Sequence, residues 1–182
     1  MKIGKTALIA LASLALSTAA FAEIQFTANL VAPAGAFTRS GTAPVVIHID
    51  HYSEEAEVQQ LAGILQQKGP DALRDALWDK EIGYIRVGGG LGYPIAAARS
   101  KPAEGGGQII RLMIDRPISQ REVINNSRTV DYPFAFVEIK LDGKGQGTGE
   151  FYQAAKVSLK GDTLKVENYS PQPLKLLAVK KR

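Results

Sequence analysis

The segment PFAFVEIKL, residues 133–141, decides the fold because its side chains alternate between two different kinds of surface. Successive side chains of a β-strand point to opposite faces of the sheet. One face of this strand is wholly apolar, and its members are Ala135, Val137, Ile139 and Leu141. The other face changes from aromatic to charged, and its members are Phe134, Phe136, Glu138 and Lys140. The pattern predicts a sheet whose first face lies in the core and whose second face is covered by helix at one end only.

A helical region earlier in the chain is the predicted cover for this sheet. Four apolar residues recur at the spacing of one helical face, and they are Val58, Leu61, Ala62 and Leu65. Ser53 is the predicted N-cap of this helix, and Gly69 is its predicted end. Pro70 suits the first turn of a second, shorter helix. We therefore predict a helix pair that packs against one side of the sheet.

Shorter extended segments, separated by glycine and proline, supply the other strands. They are residues 24–30, 45–51, 82–87, 92–100, 108–115, a hairpin over 155–166, and 174–180. The last segment contains several lysines, which are typical of an exposed edge strand. A capping-box pattern at Ser119 predicts a short helix through Asn125. Residues 23–182 are therefore interpreted as a single α+β domain. Its curved antiparallel sheet has roughly seven or eight strands, is packed by the helix pair, and approaches a barrel-like arrangement.

The first 22 residues have the pattern of a bacterial secretory signal peptide. Lys2 and Lys5 precede a run of apolar and small residues, which ends in the small-x-small pattern of Ala20-Phe21-Ala22. This pattern predicts cleavage after Ala22 and a periplasmic or secreted mature protein. An uncleaved anchor is the alternative, but the run is shorter than the roughly 20 residues that a spanning helix needs. After removal of residues 1–22, the sequence predicts no transmembrane segment.

The composition argues against several classes of function. The chain has no cysteine, which removes thiol nucleophiles, iron–sulfur clusters and cysteine zinc sites. The net charge of +4 falls to +2 without residues 1–22, because that segment holds two lysines and no acidic residue. The only dense basic run is the tail Lys180-Lys181-Arg182, whereas nucleic-acid binding normally needs a concentrated basic face. We therefore expect no nucleic-acid partner and predict no cofactor.

Both histidines lie in one short segment, His48-Ile49-Asp50-His51. On a strand, His48 and Asp50 share one face, where they could act together as a general base and its partner or share a metal ion. A hydrolytic metal site usually has three protein ligands, and the chain has no third histidine and no H-E-x-x-H motif. It also has no G-x-S-x-G nucleophile elbow. We therefore predict no metal site and interpret the segment as a strand that enters a helix. His48 and Asp50 are kept as the only catalytic candidates.

Three further patterns concern binding. The glycines of residues 88–92 lack the following helix that a phosphate-binding loop requires, which favours a hairpin turn.

The arginines of three consecutive predicted strands would form an anion site if the strand register placed them on one face. These candidates are Arg86, Arg99 and Arg111. The alternative is that they are separate, solvated side chains with packed stems. Aromatic residues of several strands could line an apolar cavity, but ordinary core packing with half-exposed rings is the favoured interpretation. The aromatic candidates are Tyr93, Phe134 and Phe136.

Together these patterns favour a non-enzymatic binding domain and leave the enzyme question open. The expected partner is a small apolar or amphipathic molecule, or a protein of the cell envelope. One alternative is a hydrolase that uses Asp50 and His48, assisted by a metal ion if one is bound. The other alternative is a structural or assembly protein of the cell envelope.

Overall fold

Ten β-strands, one α-helix and one 3-10 turn occur in the computed structural model, which describes residues 23–32, 41–118, 131–161 and 163–182. The strands are β1 (Ile24–Val31), β2 (Thr42–Ile49), β3 (Gly83–Val87), β4 (Tyr93–Pro94), β5 (Ala97–Pro102), β6 (Gln108–Ile114), β7 (Phe134–Leu141), β8 (Gln146–Lys160), β9 (Thr163–Asn168) and β10 (Leu174–Lys181). The helix is α1 (Glu55–Leu77), and the 3-10 turn is Glu104–Gly106. The predicted signal peptide and the helix predicted from Ser119 through Asn125 lie outside the described residues.

The described strands form one antiparallel sheet that curls on itself. Its order is β4-β3-β2-β1-β10-β8-β7-β6-β5, and β9 pairs with β8 beside this path. The two ends of the path, β4 and β5, are consecutive in the chain and are separated only by Ile95 and Ala96. The Ile95 N–H donates to the Gly83 carbonyl of β3, and the Ala96 N–H donates to the Met113 carbonyl of β6. One short segment therefore contacts both ends of the path, and the predicted curved antiparallel sheet is confirmed.

Two details of the predicted sheet are wrong. The segment predicted as one strand over residues 92–100 is two strands, because the chain changes neighbours at Ile95 and Ala96. In total, the described sheet has ten strands rather than roughly seven or eight. In addition, β10 is no edge strand, since it pairs with β1 on one side and with β8 on the other. Lys175 and Lys180 alternate with buried apolar residues of β10 and lie on the outer face of the sheet, so they indicate an open face and not an open edge.

The helical region is one bent element rather than the predicted pair of helices. α1 has 23 residues, and Gly69 within it has a φ of +85°, a conformation that favours glycine. Pro70 follows directly, so no connecting loop separates the two halves. A straight helix of this length would span about 35 Å at 1.5 Å per residue. Yet Lys80, just beyond α1, forms an ion pair with Glu57 near its start, so the bend brings the two ends together.

Within the described part of the chain, no helix is long and apolar enough to cross a membrane.

The start of α1 is fixed to the sheet by backbone and side-chain bonds. The predicted N-cap is wrong, because Glu54 holds that position and makes no side-chain capping bond. Ser53 instead pairs with β5: its N–H donates to the Ala98 carbonyl at 2.8 Å, and its hydroxyl accepts from the Ala98 N–H at 3.3 Å. Glu55, in the first turn, forms an ion pair with Arg99 of β5. These contacts hold the first half of α1 beside β5.

Two apolar clusters lie on opposite faces of the sheet. The inner cluster fills the concave face, and its fully buried members include Phe26, Ile47, Ile85, Ile110, Ile139 and Leu176. The helix–sheet cluster joins α1 to the outer face, and its members include Leu65, Leu73, Leu77, Phe134, Phe136 and Val157. β7 contributes alternate residues to both clusters, and Glu138 and Lys140 are more exposed than the two phenylalanines. The two-faced character predicted for this strand is thereby confirmed.

Candidate functional site

A groove with a volume of about 260 Å³ lies between α1 and the outer face of the sheet. Its helix wall consists of Val58, Leu61, Ala62, Leu65 and Leu73. Its sheet wall includes Ala97, Met113, Phe136, Leu159 and Leu164. Small-molecule sites are typically concave and mostly apolar, with a few polar groups that orient the ligand. The walls of this groove have that apolar character.

The strand register arranges the outer face of the sheet in rows, one beneath α1 and one beside it. The apolar row runs across four strands and consists of Ala97, Met113, Phe136 and Tyr152. The neighbouring charged row runs across five strands and consists of Arg99, Arg111, Glu138, Glu150 and Lys175. Since the rows are only two residues apart along each strand, the hydrocarbon floor of the groove ends directly at charged side chains.

The charge at the groove is of one sign. Among the eighteen described residues that line it, three are basic and none is acidic; the basic residues are Arg99, Lys101 and Arg111. Arg99 and Arg111 lie directly opposite each other in the β5–β6 ladder. Like charges at directly opposed positions repel, so this arrangement is unfavourable by itself. Two opposed guanidinium groups present N–H donors and positive charge on the same side of the sheet, which suits the binding of an anion.

Both arginines are oriented by carboxylates outside the groove lining. Arg111 donates from Nε to Glu138 Oε2 at 2.8 Å, and Arg99 donates from one terminal nitrogen to Glu55. A guanidinium has five N–H donors, so each of these bonds uses only a fraction of the donor capacity. The side chains of Arg99 and Arg111 are 33% and 40% exposed, so the remaining donors are accessible to a ligand.

On β8, a hydrogen bond joins the last member of the apolar row to the neighbouring member of the charged row. The Tyr152 hydroxyl donates to Glu150 at 2.7 Å, and its ring packs edge-on against Phe136 at a centroid distance of 5.8 Å. Burial, followed by the bond to Glu150, raises the pKa of Tyr152. Hydrogen bonds from Lys175 and Tyr152 lower the pKa of Glu150. Tyr152 is thus a neutral donor at physiological pH, and Glu150 is ionised.

His48 lies in a separate polar cluster on β2 and β3. Its Nε2 is 2.9 Å from Asp50 Oδ1 and also 2.9 Å from Glu23 Oε1. Its ring stacks on Tyr84 at 5.0 Å with an interplanar angle of 18°. Arg86, two residues further along β3, lies over the Tyr84 ring, with its Cζ 5.2 Å from the ring centroid. These contacts give the polar groups of His48 and Asp50 partners within the fold.

The His48 cluster does not share the groove. None of the residues that line the groove belongs to this cluster. Within the described ranges, no group of three or more His, Cys, Asp or Glu side chains has the arrangement of a metal site. His51 is exposed and follows β2, where the chain leaves the sheet for α1. The hydrolase hypothesis for Asp50 and His48 stays a prediction.

The structure brings some of the candidate binding residues together and separates others. Arg99, Arg111 and Phe136 line the groove, and Phe134 is buried in the adjoining helix–sheet cluster. Two candidates lie elsewhere: Arg86 covers Tyr84, and Tyr93 packs against the inner cluster. Residues 88–92 form the turn between the antiparallel strands β3 and β4, as the glycine pattern indicated.

Sequence reasoning missed two parts of the groove. Lys101 was not considered, although it follows Arg99 by two residues and therefore shares its face of β5. The apolar helix face containing Leu61 and Leu65 was identified only as a packing surface. A helical stripe gives no signal that part of it borders an open groove, because that depends on how closely the sheet approaches.

No protein-family model, curated protein or solved structure matches this chain. A functional assignment therefore depends on the geometry and charge of the groove and of the His48 cluster. The groove combines a concave shape, apolar walls and a basic rim, whereas the His48 cluster has its polar groups paired with one another.

Proposed function

We propose that this protein is a non-enzymatic binding domain that holds a small amphipathic molecule in the groove between α1 and the sheet. The observation that carries the proposal is the 260 Å³ groove, whose apolar walls end at Arg99, Lys101 and Arg111. Its volume is close to the lower limit of roughly 300 Å³ for small-molecule sites. The expected occupant is accordingly small, or is one chain of a larger molecule.

The filled inner face of the sheet supports the outer location of the site. A curled sheet offers two places for a ligand, its interior and its outer surface. Here, large apolar side chains occupy the interior, and Phe26, Ile47, Ile85 and Ile110 have no exposed surface. Displacing such a core would cost several kcal/mol for each large side chain. A groove between two packed elements needs no such displacement.

We further propose that the domain acts outside the cytoplasm, either in the periplasm or as a secreted protein. The pattern of residues 1–22 supports this location. In such a compartment, a groove with hydrocarbon walls would shield the apolar part of an amphiphile from water. A protein of the cell envelope is the alternative partner, and it would have to insert an apolar side chain into the same groove.

The proposal is tested with three amphiphiles whose chains have ten carbons: 1-decanol, decanoate and decyltrimethylammonium. Each is titrated into the protein in an isothermal calorimeter, below its aggregation concentration. At least one should bind with a stoichiometry of one. The variant Ala62→Leu, which fills the groove from the helix wall, should weaken this binding. The expected loss is about 50-fold, because three added carbons exclude about three ligand methylenes at ~0.8 kcal/mol each.

The matched control is Ala56→Leu, the same substitution on the same helix. Ala56 is exposed and does not line the groove, so its variant should bind as the wild type does. Circular dichroism of both variants verifies that they are folded, and Leu164→Phe provides a second filling variant from the sheet wall. The proposal fails if none of the three amphiphiles binds, or if Ala62→Leu and Ala56→Leu have equal effects.

A further inference from the structure

We infer that the ligand of the groove is an anionic amphiphile, of the class of acyl-chain carboxylates, with its head group between Arg99 and Arg111. This inference rests on the proposed function and specifies the chemistry of the same site. The hydrocarbon chain would lie along the apolar row beneath α1. The carboxylate would lie at the start of the charged row.

The first argument is the sign of the charge around the groove. The three ionisable residues that line it are basic, and the acidic partners found for them among the described residues, Glu55 and Glu138, lie outside the lining. These five residues carry a net charge of +1. Lys140 also contacts Glu138, at 3.3 Å, so that carboxylate is shared between two cations. A cationic head group would meet like charges in this position.

The second argument is the direct opposition of Arg99 and Arg111 across the β5–β6 ladder. Two guanidinium groups at opposed positions repel each other, and an anion between them removes that repulsion. Arginine also presents planar N–H donors that match the two oxygens of a carboxylate. The bonds to Glu55 and Glu138 fix the orientation of the two side chains before a ligand arrives, so little ordering is needed on binding.

The third argument is the order of the surfaces along each strand. Ala97 precedes Arg99 by two residues on β5, and Arg111 precedes Met113 by two residues on β6. A molecule that passes from the apolar row to the charged row therefore meets hydrocarbon beneath α1 and positive charge about 7 Å further on. That sequence of surfaces corresponds to an acyl chain with a charged end, and it fits neither a uniformly apolar nor a uniformly polar ligand.

The test compares the affinities of decanoate, 1-decanol and decyltrimethylammonium for the wild-type protein. Decanoate should bind about tenfold more tightly than 1-decanol, and the cation should bind most weakly, since only decanoate can accept charge-assisted bonds. Raising the ionic strength from 10 to 100 mM shortens the screening length from about 30 to about 10 Å. The ratio of the decanoate and 1-decanol affinities should decrease accordingly.

Substitutions then locate the anion. Arg99→Gln and Arg111→Gln should each bring the affinity ratio of decanoate to 1-decanol towards one. The matched control is Arg86→Gln, because Arg86 lies over Tyr84 and outside the groove, and it should leave the ratio unchanged. Lys101→Gln, at an exposed position, provides a variant that breaks no ion pair seen among the described residues and should lower the ratio less.

Three results would overturn the inference, and they differ from a failure of the proposed function. If 1-decanol or the cation binds as tightly as decanoate, the groove holds an amphiphile but selects no anion. If Arg86→Gln lowers the ratio as much as Arg99→Gln, the anion lies elsewhere. If the ratio does not respond to salt, a charged contact does not set it. Absence of binding by all three amphiphiles would instead refute the proposed function, and the inference with it.

Discussion

Three leucines in very different environments provide a quantitative test of how α1 packs on the sheet. Leu77, in the last turn of α1, has no exposed surface, whereas Leu177 on β10 is 44% exposed and Leu91 in the β3–β4 turn is 91% exposed. The same substitution to alanine at each position removes the same three carbons. Differences among the three variants therefore report burial and not side-chain chemistry.

The expected costs follow from the exposed fractions. Three carbons at ~0.8 kcal/mol each amount to about 2.4 kcal/mol for a fully buried leucine. Scaling by the buried fraction of each side chain gives about 1.3 kcal/mol for Leu177→Ala and about 0.2 kcal/mol for Leu91→Ala. Leu77→Ala also leaves a cavity, which raises its expected cost to about 3–4 kcal/mol. Helix propensity changes little, since leucine and alanine are both good helix formers.

Urea denaturation followed by far-ultraviolet circular dichroism measures these costs as shifts of the transition midpoint at a common slope. The order Leu77→Ala, Leu177→Ala, Leu91→Ala, from the most to the least destabilised, is the expected result. A cost for Leu77→Ala no larger than that for Leu177→Ala would refute the packing of α1 on the outer face. A cost above about 1 kcal/mol for Leu91→Ala would contradict its exposure in the turn.

Further predictions concern two glycines and one carboxylate. Gly63→Ala should raise stability by about 1 kcal/mol, because Gly63 lies inside α1 and an added Cβ would meet no atom within 4 Å, and urea denaturation measures the gain. Gly147→Ala should lower stability by about 3 kcal/mol or more in the same assay, because its Cβ would lie 1.8 Å from a carbonyl oxygen of β7. Backbone N–H groups of Gln146 and Lys144 donate to Asp142 and lower its pKa. Asp142 therefore contributes stability that is complete above the unfolded pKa of about 3.9 and is lost as the pH falls through the folded value. Asp142→Asn should flatten the pH dependence of the urea midpoint in that acidic window, and an unchanged profile would contradict the assignment.

The alternating pattern of β7 was readable from the sequence because it is a local property. Phe134 and Phe136 face the helix and Val137 and Ile139 face the inner cluster, and each assignment follows from residue parity along one strand. The helical stripe of α1 was readable for the same reason, with a period of 3.6 residues. Neither pattern depends on which strands are neighbours.

The non-local features could not be derived in this way. The opposition of Arg99 and Arg111 depends on the exact length of the connection between β5 and β6, which includes the 3-10 turn Glu104–Gly106. A change of one residue in that connection would move one arginine to the other face. The central position of β10 depends on its pairing with β1, at the opposite end of the described chain. The bend at Gly69 appeared as a boundary between two helices because glycine followed by proline is a common stop signal.

The pairing of β1 with β10 determines when the sheet can be completed during synthesis. β1 is the first described strand to leave the ribosome, and its partner β10 is the last. β10 also supplies the partner for one edge of β8, so the middle of the sheet stays open until synthesis has passed residue 174. A nascent chain that lacks β10 cannot complete the sheet, so the pairing that joins β1 to β8 forms only after the last described strand has been made.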